Sequence, residues 1–238
     1  MISQDQTPTY EISRESVLKG VIRDYIRAAD PSLPLVSDEA QCASVAAMLA
    51  GRPDGGGPDG GDVWLFAYGS LIWNPMIHFS EREVVTVAGY HRRFCLWTHL
   101  GRGSPAVPGL TLGLEPGGAC RGVAFRIAAA AAQAELELVW RREMITNAYC
   151  PRWVRMAAPG RRGWAVAFIV NRRHPHYAGL VPEDRVVKAI ARARGPLGPC
   201  AAYLFNTVEH LSALGVHDRQ LCRLRNRVTA ALAAAEPG

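Results

Sequence analysis

Two places in this 238-residue chain hold residue types suited to chemistry. The first is "FAYGSLIW", Phe66 to Trp73, where an apolar run reaches Tyr68, breaks at Gly69-Ser70 and resumes with Leu71, Ile72 and Trp73. Glycine lets a ligand approach the backbone, and successive N–H groups in such a break can face a carboxylate or an oxyanion. The same dipeptide makes ordinary turns, but its apolar flanks favour a pocket lining over a surface hairpin. The second place is Glu143. At about 100° per residue, a helix around Leu136 puts Ala132, Leu136, Val139 and Trp140 on one face, with Glu143 in the middle of it. Glu135, Glu137, Arg141 and Arg142 then point elsewhere. Burial and the negative end of the helix both disfavour ionised Glu143. A raised pKa suits a proton acceptor and donor near neutral pH. The alternative is that the helix ends there and Glu143 reaches solvent or pairs with an arginine.

Other reactive side chains are weaker candidates. Cys150 beside Pro151 has the makings of a nucleophile with His174 or His176 as base, yet a reactive thiol needs an electropositive setting. His174 and His176, with one residue between them and no companion cluster, read as loop residues and not metal ligands. The other cysteines, Cys42, Cys95, Cys120, Cys200 and Cys222, read as buried or half-buried filler. Trp97 and Trp140 read as core. Arg92-Arg93 and Arg161-Arg162 read as mostly solvated charge, with Arg93 in reach of a site.

The elements that must position these residues follow from periodicity and punctuation. An amphipathic helix over 13–29 begins at Ser13 and ends before Pro31 and Pro34; a second runs over 37–49. "GRPDGGGPDGGD" (51–62) is a linker by composition. Strand-type runs occupy 63–67, 83–89, 93–97, 110–114 and 121–127. A helix follows within 126–144, then strands at 152–157 and 164–170, then helices at 183–194, 200–213 and 218–234. Strands first and helices after suggest α+β with a curled sheet. The chain thus divides into a helical extension (1–50), the linker (51–62) and a main domain (63–238).

Composition narrows the class further. The chain is 49% hydrophobic and 20% charged, as suits a globular protein, and no apolar run approaches a membrane span. The polar start lacks the apolar middle of a signal peptide. Scattered cysteines read as reduced thiols, which points to the cytoplasm. Net charge is +6, and all basic residues except Lys19 and Lys188 are arginines. They are spread along the chain and not massed in a stripe, which argues against nucleic-acid binding.

Several motifs then occur in a telling order. "VWLFAYGSLIWNP" (63–75), "WRREMITNAYCPRW" (140–153), "RHPHY" (173–177) and "IARARGPLGPCAAYLF" (190–205) together resemble the ChaC family of glutathione-specific γ-glutamylcyclotransferases, in its bacterial branch. The resemblance runs from about residue 60 to the end, and the 38–53 segment is similar too. It implies an α+β fold: a small mixed or antiparallel β-barrel flanked by helices. It implies cofactor-independent cleavage of glutathione to 5-oxoproline and cysteinylglycine. Carried onto this sequence, Leu65, Phe66, Ala67, Tyr68, Gly69, Ser70 and Leu71 form the γ-glutamyl-binding loop. Glu143 becomes the general base and acid. Tyr203 is a pocket tyrosine, and Arg93 and Tyr149 lie near the site. Ala67 stands where the family commonly has glycine. "MITNAYC" replaces the Gly-Gly-Tyr of the eukaryotic branch, so contacts to the cysteinylglycine half are not carried over. Two other readings stand beside this one: a non-catalytic regulator of cation transport, and a cyclotransferase for another γ-glutamyl amide.

Overall fold

The computed structural model describes residues 10–53, 55 and 61–235. The polar start (1–9) and half of the expected linker (54 and 56–60) lie outside the described residues. Five strands close a barrel in the order β1-β3-β2-β4-β5: β1 Val63–Ala67, β2 Glu81–Thr98, β3 Gly109–Ile127, β4 Tyr149–Ala158 and β5 Arg161–Val170. β1 runs antiparallel to β3 (Ala67 opposite Val123) and parallel to β5 (Leu65 opposite Val166). Every β1 residue is buried, as its unbroken apolar run requires. Beyond the end of β1, Leu114 of β3 takes the same edge of β5, opposite Ile169. β4 and β5, ten residues each, form a hairpin from Tyr149 opposite Val170 to Ala158 opposite Arg161.

The chain packs as two units. One holds Ser13–Arg93 and Gly113–His174. It contains β1, β4, β5, most of β2 and β3, and four helices: α1 Arg14–Leu18, α2 Val21–Ala29, α3 Asp38–Ala50 and α4 Ala132–Glu143. α1 begins with a capping box, Ser13 and Ser16 each accepting the other's backbone N–H. The helix expected over 13–29 is broken: Gly20 sits at φ +72 and starts α2 afresh. The α region cannot continue through a left-handed residue. The other unit holds the described residues 10–12, 94–112 and 175–235, including the ends of β2 and β3. Its helices are α5 Glu183–Arg192, α6 Cys200–Ala213 and α7 Arg219–Ala233, with a short hairpin, β6 Arg194–Gly195 and β7 Gly198–Pro199, before α6. No helix among the described residues is long and apolar enough to cross a membrane.

Two pairs of expected strands are single strands. The breaks expected at 90–92 and 115–120 are carried inside β2 and β3, where Gly89, Gly117 and Gly118 take positive φ without ending the strand. The apolar residues after Gly69-Ser70 do not resume a strand: Ser70–Ile72 form a 3₁₀ turn.

Candidate active site

The end of β1 is held from both sides. Tyr68 is buried, and its hydroxyl donates to the Phe168 carbonyl of β5 at 2.7 Å. Its own carbonyl accepts from Arg92 Nη1 at 2.9 Å, and Arg92 Nη2 donates to the Arg121 carbonyl. Arg92 is thus not the solvated charge its sequence position suggests. It is 5% exposed and spends its guanidinium on the carbonyl where the strand stops. Gly122 lets β3 approach: a Cβ there would lie 2.4 Å from the Ala67 carbonyl oxygen and 2.8 Å from the Phe66 ring. Leu65, Phe66 and Ala67 are fully buried and Leu71 nearly so.

Gly69 then turns the chain into the 3₁₀ turn. The Ile72 N–H bonds back to the Gly69 carbonyl (2.9 Å) and the Asn74 N–H to the Ser70 carbonyl (3.0 Å). The N–H groups of Gly69, Ser70 and Leu71 donate to no acceptor among the described residues. Three successive donors of this kind suit an anionic group.

Helix α4 brings Glu143 to this turn through Arg142. Arg142 Nη2 donates to Ser70 Oγ at 2.6 Å, Nη1 to the Asn74 carbonyl at 2.7 Å, and Nε lies 2.9 Å from Glu143 Oε1. The Arg142 side chain is 5% exposed and that of Glu143 is 16% exposed. Burial lifts the Glu143 carboxyl above the usual carboxylate value, and the Arg142 charge only partly opposes this. The side chains of Arg142 and Glu135, which helix phase places off the apolar stripe, are buried all the same: the Arg142 fork finds three acceptors, and Glu135 is 3% exposed and bound by Arg14 at 2.6 and 2.9 Å.

Phe168, which sequence reasoning treated as an ordinary strand residue, ties the site together. Its carbonyl holds Tyr68, and its ring packs edge-on against Trp140 (4.9 Å) and Tyr149 (6.5 Å). Tyr149 is therefore placed against Phe168, at the start of β4. The end of α4 is fixed by α3: Gln41 Nε2 donates to the Met144 carbonyl at 3.0 Å, and Trp140 Nε1 to Ser44 Oγ at 3.1 Å. Arg93 pairs with Glu115, 1% exposed, which also takes Arg172 Nε at 3.2 Å. Tyr203 belongs to the other unit. There it is buried, edge-on to Phe94 at 5.8 Å, with the Arg102 guanidinium 5.5 Å from its ring. His174 and His176 enter no cluster of three or more metal-ligating side chains among the described residues. Burial pushes the His174 imidazole below its ordinary value.

The closed five-stranded barrel thus carries a glycine-serine turn at the end of β1 and, joined to it through Arg142, a half-buried glutamate. Residues 63–231 match the ChaC-like protein family. The chain is 41% identical over 208 residues, 87% of each chain, to the glutathione-specific γ-glutamylcyclotransferase of Escherichia coli (strain K12). It is 32% identical over 184 residues to γ-glutamylcyclotransferase 2-3 of Arabidopsis thaliana, covering 73% of this chain and 92% of the relative. The crystal structure of a γ-glutamyl cyclotransferase specific to glutathione from yeast shares the fold. Its TM-score is 0.67 at 21% identity, over 74% of this chain and 99% of that one. This chain belongs to the ChaC-like family.

Proposed function

We propose that this chain is a glutathione-specific γ-glutamylcyclotransferase that releases 5-oxoproline and cysteinylglycine. The observation that carries the reading is the pairing of three unengaged amides with a carboxyl of raised pKa, joined through Arg142. The substrate supplies its own nucleophile. Its α-amine attacks the γ-carbonyl carbon and a ring C–N bond forms. The amide C–N bond to the cysteine nitrogen breaks. Glu143 takes the amine proton and returns it to the departing nitrogen. Nucleophile and leaving group belong to one molecule, so neither water nor cofactor enters the balance. The Gly69–Leu71 amides hold a substrate carboxylate or the developing oxyanion. Folding the γ-glutamyl arm for attack supplies much of the rate, since effective molarities of such ring closures reach about 10⁵ M. Tyr68, Leu71 and Tyr149 shape the same end of the barrel, with Leu65, Phe66 and Ala67 as the buried base of the loop. Arg93, paired with Glu115 on the same unit, is the further polar contact to the substrate.

Two further points belong to this reading. The reaction runs in the cytoplasm, supported by six free thiols, three of them buried as core filler. The substrate is a small peptide and not a nucleic acid. In support, Arg14, Arg92, Arg93, Arg126, Arg142 and Arg227 are committed to carboxylates or carbonyls of the protein itself. Incubation of the purified protein with glutathione tests the proposal. Equimolar 5-oxoproline and cysteinylglycine are expected. Turnover of other γ-glutamyl amides with none of glutathione would overturn the specificity.

A further inference from the structure

We infer that Arg142 is a positioning residue that couples the glycine-serine turn to the acid–base glutamate, and that it makes the Ser70 hydroxyl a fourth donor to the substrate's anionic group. The inference rests on the reaction proposed above and adds two roles to it. The first follows from hydrogen-bond direction. A guanidinium only donates, so the 2.6 Å contact uses a lone pair of Ser70 Oγ. The hydroxyl proton must then point away from Arg142. It meets no acceptor among the described residues, as do the N–H groups of Gly69, Ser70 and Leu71. Ser70 is half-buried. Four donors on three consecutive residues, one aimed by a buried cation, fit a carboxylate or an oxyanion.

The second role is electrostatic. The elements packed on α4 leave Arg142 as the cation beside Glu143. α1 brings Arg14, which is spent on Glu135. α3 brings the neutral Gln41 and Ser44, the turn brings Ser70 and Asn74, and β5 brings Phe168. The same guanidinium thus sets the shape of the turn and the charge balance of the carboxyl. Only a planar fork can do both: Nε serves Glu143 while the two Nη atoms hold the turn.

Three variants separate these roles. In Arg142→Ala the acid limb of kcat/KM moves up by about one pH unit, because the opposite charge that favours the carboxylate is gone. kcat falls by about 10²-fold as the donor set loosens. In Arg142→Lys the limb returns toward its original position, but KM stays raised, since one ammonium cannot hold Ser70 and Asn74 together. Ser70→Ala raises KM and leaves the limb unmoved. Glu143 titration is also read without substrate, as the infrared carboxylate band that Glu143→Gln removes. A shifted band in Arg142→Ala with no turnover in the wild type would remove the proposed reaction and keep the coupling. An unmoved limb and band in folded Arg142→Ala would overturn the inference. So would wild-type kcat and KM in Arg142→Lys, which decides the matter even where the alanine variant does not fold.

Discussion

Helix α4 carries two carboxylates near its opposite ends, and the protein treats them in opposite ways. Glu135 sits in the first turn, where the helix dipole favours negative charge. Arg14 grips both its oxygens, and the His78 N–H adds a third bond at 3.1 Å. Burial alone would raise its pKa, but these partners outweigh it and hold the carboxyl below its usual value. Glu143 sits in the last turn, where the dipole disfavours charge. It has one cation on one oxygen, and burial wins. The first is a clamp joining α1, α4 and the 76–78 segment. The second is left able to change protonation state. Burial alone does not mark a functional carboxylate; what distinguishes the two is how many donors the fold commits to each.

Exchanging carboxylate for amide at each end of α4 should separate the two residues most strongly. Glu143→Gln should lower turnover by about 10³-fold, within the range that positioned acid–base groups supply. Its thermal midpoint at neutral pH should be no lower than the wild type's. The reason is one of sign: a folded pKa raised above the unfolded value withdraws stability as pH rises through it. Any gain from the amide should therefore vanish below the ordinary carboxylate pKa.

Glu135→Gln should do the reverse. Stability should fall by about 2 kcal/mol, at or just below the lower end for breaking a buried pair, because Arg14 keeps part of its surface in water. Turnover per folded molecule should stay near wild type. Because the folded pKa of Glu135 is lowered, the wild type's pair stabilises above the unfolded value and is lost as pH falls through the folded one. Urea titrations at neutral and acid pH should thus show the variant's deficit shrinking with acid. A milder test is the pH profile of kcat/KM. Its acid limb should lie above the ordinary carboxylate range, and a limb within that range would assign it to a group unlike Glu143. The smallest effect is expected for Ala67→Gly. Ala67 is fully buried in β1, so glycine should cost about 1 kcal/mol through chain entropy. If the alanine methyl narrows the pocket, kcat/KM should rise instead of staying near wild type.

Much of this architecture was legible in the residue order, and the misses share a cause. β1 was readable because a fully buried strand is an unbroken apolar run, and α6, expected over 200–213, spans Cys200–Ala213. The break in the first helix and the two strand mergers were not. Gly20 interrupts a helix with good apolar spacing, whereas Gly89, Gly117 and Gly118 leave their strands intact. A glycine's type permits positive φ but does not say whether the chain ends there. At the site, the Gly69-Ser70 turn and Glu143 were visible as local oddities. Their connection was not, because Arg142 looks on a helical wheel like any solvated arginine. Ring phase predicts the direction of Cα–Cβ, while a long side chain can fold back to acceptors remote in sequence. The same holds for Arg14 with Glu135 and Arg92 with Tyr68. Phe168 gave no signal beyond its strand, since its role comes from its own backbone carbonyl, which takes the Tyr68 hydroxyl, and from the rings of Trp140 and Tyr149.

The central claim is that chemistry resides in the last turn of α4 and not in the first. It is tested most directly by measuring 5-oxoproline released from glutathione by the wild type, Glu143→Gln and Glu135→Gln at equal concentrations of folded protein. Product is expected from the wild type and Glu135→Gln, and almost none from Glu143→Gln. Product from Glu143→Gln at the wild-type rate would contradict it.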